Sequence, residues 1–260
     1  MRIATWNING IKARLETVTS WLEQSKPDIV CMQEIKSVDE NFPREVFEAL
    51  GYHVETHGQK SFNGVAILSL TPFDEVNRGL PGDPEDEQAR FIEGVFSTAS
   101  GVLRVVSLYL PNGNPVDSPK FPYKLGWMDR LERWTRERLA LEEPLVLAGD
   151  YNVIPMPEDC HDPKVWEGDA LYRPESRTAF RRLCNLGLTE AVRASDDAGG
   201  VYTFWDYQAG AWQKNNGIRI DHLLLSPEAA RMFNAASIDK HVRAWEKPSD
   251  HVPVLIDLAA

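Results

Sequence analysis

The chain is short of cysteine and histidine, with three of the first and six of the second among 260 residues. Cys31, Cys160 and Cys184 are an odd number without metal-ligand spacing, and the histidines are too few and too loosely spaced for a structural zinc site. Cys31 lies within an apolar run and is expected in the core, which suits a reducing, intracellular setting. Long hydrophobic runs are missing too. No segment is long enough to span a bilayer, and Arg2 leads directly into the strand-like Ile3-Ala4-Thr5-Trp6 without a signal-peptide pattern. Positive charge is outnumbered, 28 Lys and Arg against 39 Asp and Glu, for a net charge of −11. That balance argues against a protein that coats nucleic acid unselectively. It leaves room for an enzyme acting on nucleic acid, because carboxylates gathered around a divalent cation lower the net charge while a basic rim still holds phosphates.

What is present is an alternation of helix and strand patterns. Ile3–Ile8 reads as a strand ending in Asn7 and Asn9, and residues 12–24 repeat Leu15, Val18 and Leu22 at helical spacing. Pro27 stops that helix, and Asp28–Glu34 reads as a buried strand that delivers Glu34 at its end. This strand–helix–strand unit sets Asn7 and Glu34 along one sheet edge. A short helix near 43–50 and strands around 52–56 and 64–70 follow. Pro72–Gln88, rich in Pro, Gly and acid, is expected as surface loop. Phe91–Phe96 and Val102–Leu110 form an antiparallel pair turned at Ser100-Gly101. Asn112–Pro122 is irregular, and a long helix then runs to about Leu141 with Trp127, Leu131, Trp134 and Leu141 on its face.

Leu145–Ala148 is a buried strand followed by Gly149-Asp150-Tyr151-Asn152. Ser176 is expected to cap a helix containing Phe180, Leu183 and Cys184, and Thr203–Trp212 to be loop. Ile218–Leu225 is a strand with Asp221 inside it. Pro227 opens a short helix, Ile238–Val242 is a further strand candidate, and Val252–Leu258 is the last strand. Alternating blocks favour α/β, while the consecutive strands between 52 and 110 argue against a simple doubly wound sheet. Two mixed β-sheets packed face to face with helices on the outer faces use both halves better, in one domain over residues 1–260.

The polar residues at strand ends carry the chemistry. Taken singly each has a plain explanation: Glu34 can cap a helix or pair with Lys36, Asn7 can sit in a turn, and Asp250-His251 can be a solvated pair. Asp221 is harder to explain, because a carboxylate inside Ile218–Leu225 must be paired or hydrogen-bonded. His251 is the natural partner, with one ring nitrogen held by Asp221 and the other free to face a substrate oxygen. A hard divalent ion wants oxygen ligands, which Glu34 and Asp250 provide, with Asn7 beside them. Asp150 is the best candidate to take a proton from water. Tyr109, protonated His251 and the amides of Asn7 and Asn152 suit the charge that gathers on phosphoryl oxygens.

These motifs together resemble the exonuclease III family of class II apurinic/apyrimidinic endonucleases, within the endonuclease/exonuclease/phosphatase superfamily. The resemblance rests on Ile3–Ile11, Pro27–Lys36, Asn63-Gly64-Val65-Ala66, Ala89-Arg90-Phe91, Tyr109–Gly113, Gly149–Asn152, Thr203–Tyr207 and Ser249-Asp250-His251, and it spans nearly the whole chain. It implies a four-layer sandwich and a Mg²⁺ enzyme, with Mn²⁺ as a substitute, that cuts 5′ of abasic sites in double-stranded DNA and leaves a 3′-hydroxyl. Activity at 3′ ends, as exonuclease or end-cleaning enzyme, is implied too, from a cytoplasmic monomer (nucleoid-associated in a bacterium) with no membrane partner.

By motif, Glu34 matches the metal ligand, with Asn7 and Asp250 at the same site. Tyr109, Asp150, Asn152, Asp221 and His251 match the catalytic set. Trp212 falls where relatives place aromatics beside the abasic nucleotide, although a core tryptophan is the plain alternative. Arg90, Lys120, Arg177 and Lys214 are candidate phosphate contacts, with Asn215 and Arg219 expected to shape the same region. Tyr151 and His222 stand where many relatives have Phe and Tyr. Two other functions compete: a small-molecule or lipid phosphoesterase with the same metal chemistry, and a catalytically silent DNA-binding module, which leaves the acid and histidine set without a purpose.

Overall fold

Period-two burial and helical stripes meet in four layers. The computed structural model describes residues 1–99 and 101–259. From the N-terminus it runs β1 (Arg2–Asn7), α1 (Ile11–Ser25), β2 (Ile29–Gln33), α2 (Arg44–Glu48), β3 (His53–His57), β4 (Val65–Ser69), β5 (Glu75–Arg78) and β6 (Phe91–Thr98). It continues with β7 (Gly101–Tyr109), α3 (Lys120–Leu139), β8 (Leu145–Asp150), α4 (Pro163–Trp166), α5 (Pro174–Cys184), β9 (Thr189–Glu190) and α6 (Ala191–Ser195). The last elements are α7 (Ala211–Lys214), β10 (Asp221–Leu225), α8 (Pro227–Arg231), β11 (Phe233–Ile238) and β12 (Val254–Leu258). One mixed sheet has the order β11-β12-β1-β2-β4-β3 and the other β5-β6-β7-β8-β10-β9.

Both sheets are covered on both faces, which is why their central strands read as continuous apolar runs. In β2, Ile29 and Cys31 enter the core shared by the two sheets with Val105, Val146, Ala148 and Leu223. The alternate residues Val30 and Met32 pack with Val18, Trp21 and Leu22 of α1. In the second sheet Val106, Leu147 and Leu224 face the other way, onto Trp127, Leu131 and Trp134 of α3 and Phe180 and Leu183 of α5. α1 stops where Lys26 turns left-handed and its N–H donates to the Leu22 carbonyl at 2.9 Å, just before Pro27. Among the described residues no helix is long and apolar enough to cross a membrane.

The four-layer α/β arrangement is the one expected from the sequence, with local corrections. β5 lies inside the expected loop Pro72–Gln88; it is a half-exposed edge strand of alternating Glu75, Val76, Asn77 and Arg78, with little apolar signal. The strand expected at Ile238–Val242 is instead β11, ending at Ile238, followed by a 3₁₀ turn over Lys240–Ala244. α5 starts at Pro174 with Arg173 as its cap, so Ser176 lies inside the helix, where its hydroxyl donates to the Ala170 carbonyl at 2.6 Å. The loop expected over Thr203–Trp212 ends in α7, and Leu141 lies exposed beyond α3. β6 and β7 pair as expected up to Thr98 opposite Gly101, while Ser100 lies outside the described residues.

Candidate active site

Each sheet contributes one parallel crossover to the same end of the sandwich. β1 and β2 run parallel with Asn7 opposite Gln33, so Glu34 emerges one residue beyond the pair. β7 and β8 run parallel with Tyr109 opposite Asp150, and β10 sets Asp221 opposite Asp150 from the other side. The chain turns sharply after each acid-bearing strand. Glu34 and Asn152 both take left-handed backbone, at φ 49 and 47, a conformation that costs a non-glycine residue about 1 kcal/mol or more unless its surroundings fix it. Around Glu34 the fixing bonds are Gly10 N–H to the Glu34 carbonyl at 2.8 Å and Ile35 N–H to the Gly64 carbonyl at 3.1 Å. Around Asn152, its own N–H donates to Asp150 Oδ1 at 2.9 Å.

Asn7 joins the two sheets. Its Nδ2 donates to Glu34 Oε1 and to Asp150 Oδ2, both at 2.9 Å. His251 Nδ1 faces Asp221 Oδ2 at 2.8 Å and Oδ1 at 3.1 Å, while its Nε2 stands 3.7 Å from Asp150 Oδ2. Thr203 donates to Asp221 Oδ2 at 2.6 Å and Phe204 packs edge-on against the imidazole, so aspartate and ring are both fixed. One oxygen of Glu34, one of Asp150 and one nitrogen of His251 lie within 4.8 Å of one another. Asp250, expected as the acid beside Glu34, is not part of that cluster; Asn9 Nδ2 holds its Oδ1 at 3.0 Å.

The environments of the two acids differ. Burial alone would raise the Glu34 carboxyl, but the Asn7 amide, the Lys36 ammonium at 2.9 Å and His251 together hold it below its ordinary range. Asp150 is raised by burial, with Asp221 adding to the effect, and His251 and Asn7 offset this only in part. Burial opposes the His251 cation, yet the Asp221 and Asp150 carboxylates outweigh it and raise the imidazole. Tyr109 is raised well above the ordinary range by burial and by Glu34 and Asp150, so its hydroxyl remains a donor. The Asn7 amide brings the two carboxylates together with His251 beside them, and this oxygen-rich cluster fits a divalent cation such as Mg²⁺ or Mn²⁺, with the ionised Glu34 as its ligand.

Asn152 sits one step away. Its Nδ2 donates to the Leu110 carbonyl at 2.8 Å, and its Oδ1 accepts from Asn112 at 3.2 Å. Arg90 lies beside the cluster, its guanidinium 4.9 Å from the Tyr109 ring centroid and bonded to Gln88. Arg177 is half-buried over Tyr172, and Lys120 and Lys214 are exposed. Trp212 is half-buried, edge-on to Trp205 at 5.0 Å, with Asn215 exposed nearby and accepting from Trp205 and Lys240. Arg219 does not join this surface. It is buried between Asp159 at 2.8 Å and Glu190 at 2.9 Å, so its charge is neutralised inside the protein and cannot reach a DNA phosphate.

Other residues at the site were not anticipated. Gln33 spans the two sheets through Thr5 and Ser107 at 3.1 and 3.0 Å directly behind Asn7, and Lys124 is fully buried under Asn152. Only Lys124 left a trace in the sequence, as a cation on the apolar stripe Phe121, Lys124, Met128, Leu131. Tyr151 and His222 prove to be core residues, both packed on Phe180.

The model of the endonuclease/exonuclease/phosphatase family matches residues 4–251. The chain belongs to this family. Within it the chain is 36% identical over 262 residues to exodeoxyribonuclease III of Haemophilus influenzae, covering 98% of both proteins. It superposes on an AP endonuclease from Archaeoglobus fulgidus with a TM-score of 0.94 at 36% identity, covering all of both chains. A 3′ phosphatase from Neisseria, NExo, solved with a product DNA hairpin, gives 0.96 at 38% identity, again over the full length of both. These relationships place the protein in the exonuclease III and AP endonuclease branch, and with the Glu34–Asp150–His251 cluster they make it a metal-dependent phosphodiesterase.

Proposed function

We propose that residues 1–260 act as one repair nuclease domain in the cytoplasm, cutting duplex DNA on the 5′ side of an abasic site and trimming 3′ ends. The observation that carries this reading is the Asn7 amide bonded to one acid from each sheet, with His251 beside them. Glu34, kept ionised, would hold the divalent ion, with Asp250 at the rim. When bound, that ion supplies Lewis-acid polarisation of a phosphoryl oxygen.

The remaining steps belong to the side chains. Asp150 as a carboxylate takes one proton from the attacking water as the water oxygen bonds to phosphorus. The bond from phosphorus to the 3′ oxygen breaks with its electron pair on that oxygen, which takes a proton from solvent water and leaves as the 3′-hydroxyl. His251, held charged by Asp221, donates toward a non-bridging oxygen, and the Tyr109 hydroxyl donates to the same group. Asn152 and the exposed Asn112 orient the phosphate. Arg90, Lys120, Arg177 and Lys214 hold flanking phosphates, and Trp212 walls the gap left by the missing base.

Incision of a duplex carrying one abasic analogue, with Mg²⁺ and with chelator, tests the reading. A metal-dependent cut 5′ of the analogue is expected, and its absence would overturn the proposal. Action at 3′ ends is supported by the likeness to the Neisseria 3′ phosphatase, and release of phosphate from a 3′-phosphorylated primer tests it. Turnover of inositol phosphates or sphingomyelin in place of either DNA would favour a small-molecule or lipid phosphoesterase.

A further inference from the structure

A lysine inside the protein is costly, because removing an ammonium from water carries a penalty of several kcal/mol that its partners must offset. Lys124 has no exposed surface. It projects from the first turns of α3 among the buried Phe121, Trp127 and Met128. Its ammonium donates to two main-chain carbonyls, that of Asn112 at 3.0 Å and that of Asn152 at 2.5 Å.

Those two carbonyls belong to the residues whose side chains bond each other, Asn112 Nδ2 to Asn152 Oδ1 at 3.2 Å. Ammonium, two main chains and two amides therefore close a ring. Asn152 holds its left-handed backbone within that ring. Gly113, at φ +91, lies so close on the lysine stem that a Cβ there would come within 2.6 Å of Lys124 Cδ. Burial lowers the Lys124 ammonium to about 7, while Asp150 and Asp169 act to keep it charged. The active-site carboxylate thus helps to retain the cation that shapes its neighbours.

We infer that Lys124 is a positioning residue for the phosphodiesterase site, setting the Asn112 and Asn152 amides by holding both of their carbonyls through one buried ammonium. The inference rests on the nuclease reading for its kinetic consequence and on geometry alone for its structural one. A cation that merely stabilised the fold would affect stability without regard to Asn152. A positioning cation acts through Asn152, so its effect on turnover depends on that side chain being present.

The test is a double-mutant cycle on the full chain with the abasic-analogue duplex. Lys124→Met is expected to lower kcat about 30-fold with KM changed less than about threefold, but to lower kcat less than about threefold when placed on Asn152→Ala. Lys124→Gln, which keeps two N–H donors, is expected to recover part of the loss. If Lys124→Met does not fold, as read by its thermal melt, Lys124→Gln carries the same comparison in both backgrounds. Independently of activity, the Asn112 and Asn152 side-chain amide resonances are expected to shift in the Lys124 variant. Equal losses of kcat in both backgrounds, or amide resonances that stay in place, would overturn the inference. A wild-type enzyme that does not cut DNA would sink the nuclease reading and leave the resonance measurement to decide the role of Lys124.

Discussion

The crossover β1–α1–β2 and the crossover β7–α3–β8 have one topology and divide the chemistry between them. In each, two parallel strands flank a helix, the first strand ends in a polar residue and the second delivers an acid. The first places Asn7 and Glu34, the second Tyr109 and Asp150. Glu34 is partly exposed beside Lys36 and is held ionised, which suits a permanent ligand for a cation. Asp150 is fully buried with its carboxyl raised, which suits a group that takes and returns a proton. Placement on the sheet edge does not determine a carboxylate's task. Solvent access and the nearest cation do.

The sharpest way to break the comparison is Asp150→Asn. The expected result is a loss in kcat of about two to three orders of magnitude that added Mg²⁺ does not restore, with the fold retained by circular dichroism. Near-normal incision would take proton transfer away from the second crossover. Glu34→Gln comes next, with a loss of about 10- to 100-fold at fixed Mg²⁺ that shrinks as Mg²⁺ is titrated upward. If the titration left the deficit unchanged, Glu34 would not be the ligand. For Asp221→Asn, which loosens His251 from a strand outside both crossovers, about a tenfold loss in kcat is expected by single-turnover kinetics.

The smallest effect concerns stability. Glu190, buried against Arg219, lies near the second crossover, and its carboxyl is lowered from the ordinary 4.5 to about 2: burial pushes it up, and Arg219 and His222 more than compensate. Because its folded pKa is depressed, the stability it contributes is full above about pH 4.5 and is lost as pH falls through about 2. Urea unfolding between pH 6 and pH 2.5 should show that decline in wild type and a flatter profile in Glu190→Gln. Equal slopes would mean that Glu190 contributes nothing to acid stability.

The acids were legible because each follows an apolar run: Glu34, Asp150 and Asp221 stand out where a buried strand has no other reason to carry charge. The layer order was legible for a related reason, since strands covered on both faces leave unbroken Val, Ile and Leu. Exposed edges left no such trace, and both β5 and the polar β11 were missed or shifted. Arg219 was misplaced because its counter-ion, Asp159, comes from a distant loop, and an arginine bound inside reads the same as one facing a phosphate. Lys124 shows the converse problem. Its spacing was visible, but lysine so often reaches to solvent from the edge of a stripe that position alone could not reveal an ammonium folded inward.

β12 is inserted between β11 and β1, and His251 sits at its entrance. The imidazole therefore reaches the acids through a strand that belongs to neither crossover, so fraying of β12 from β1 would release the ring while leaving both crossovers paired.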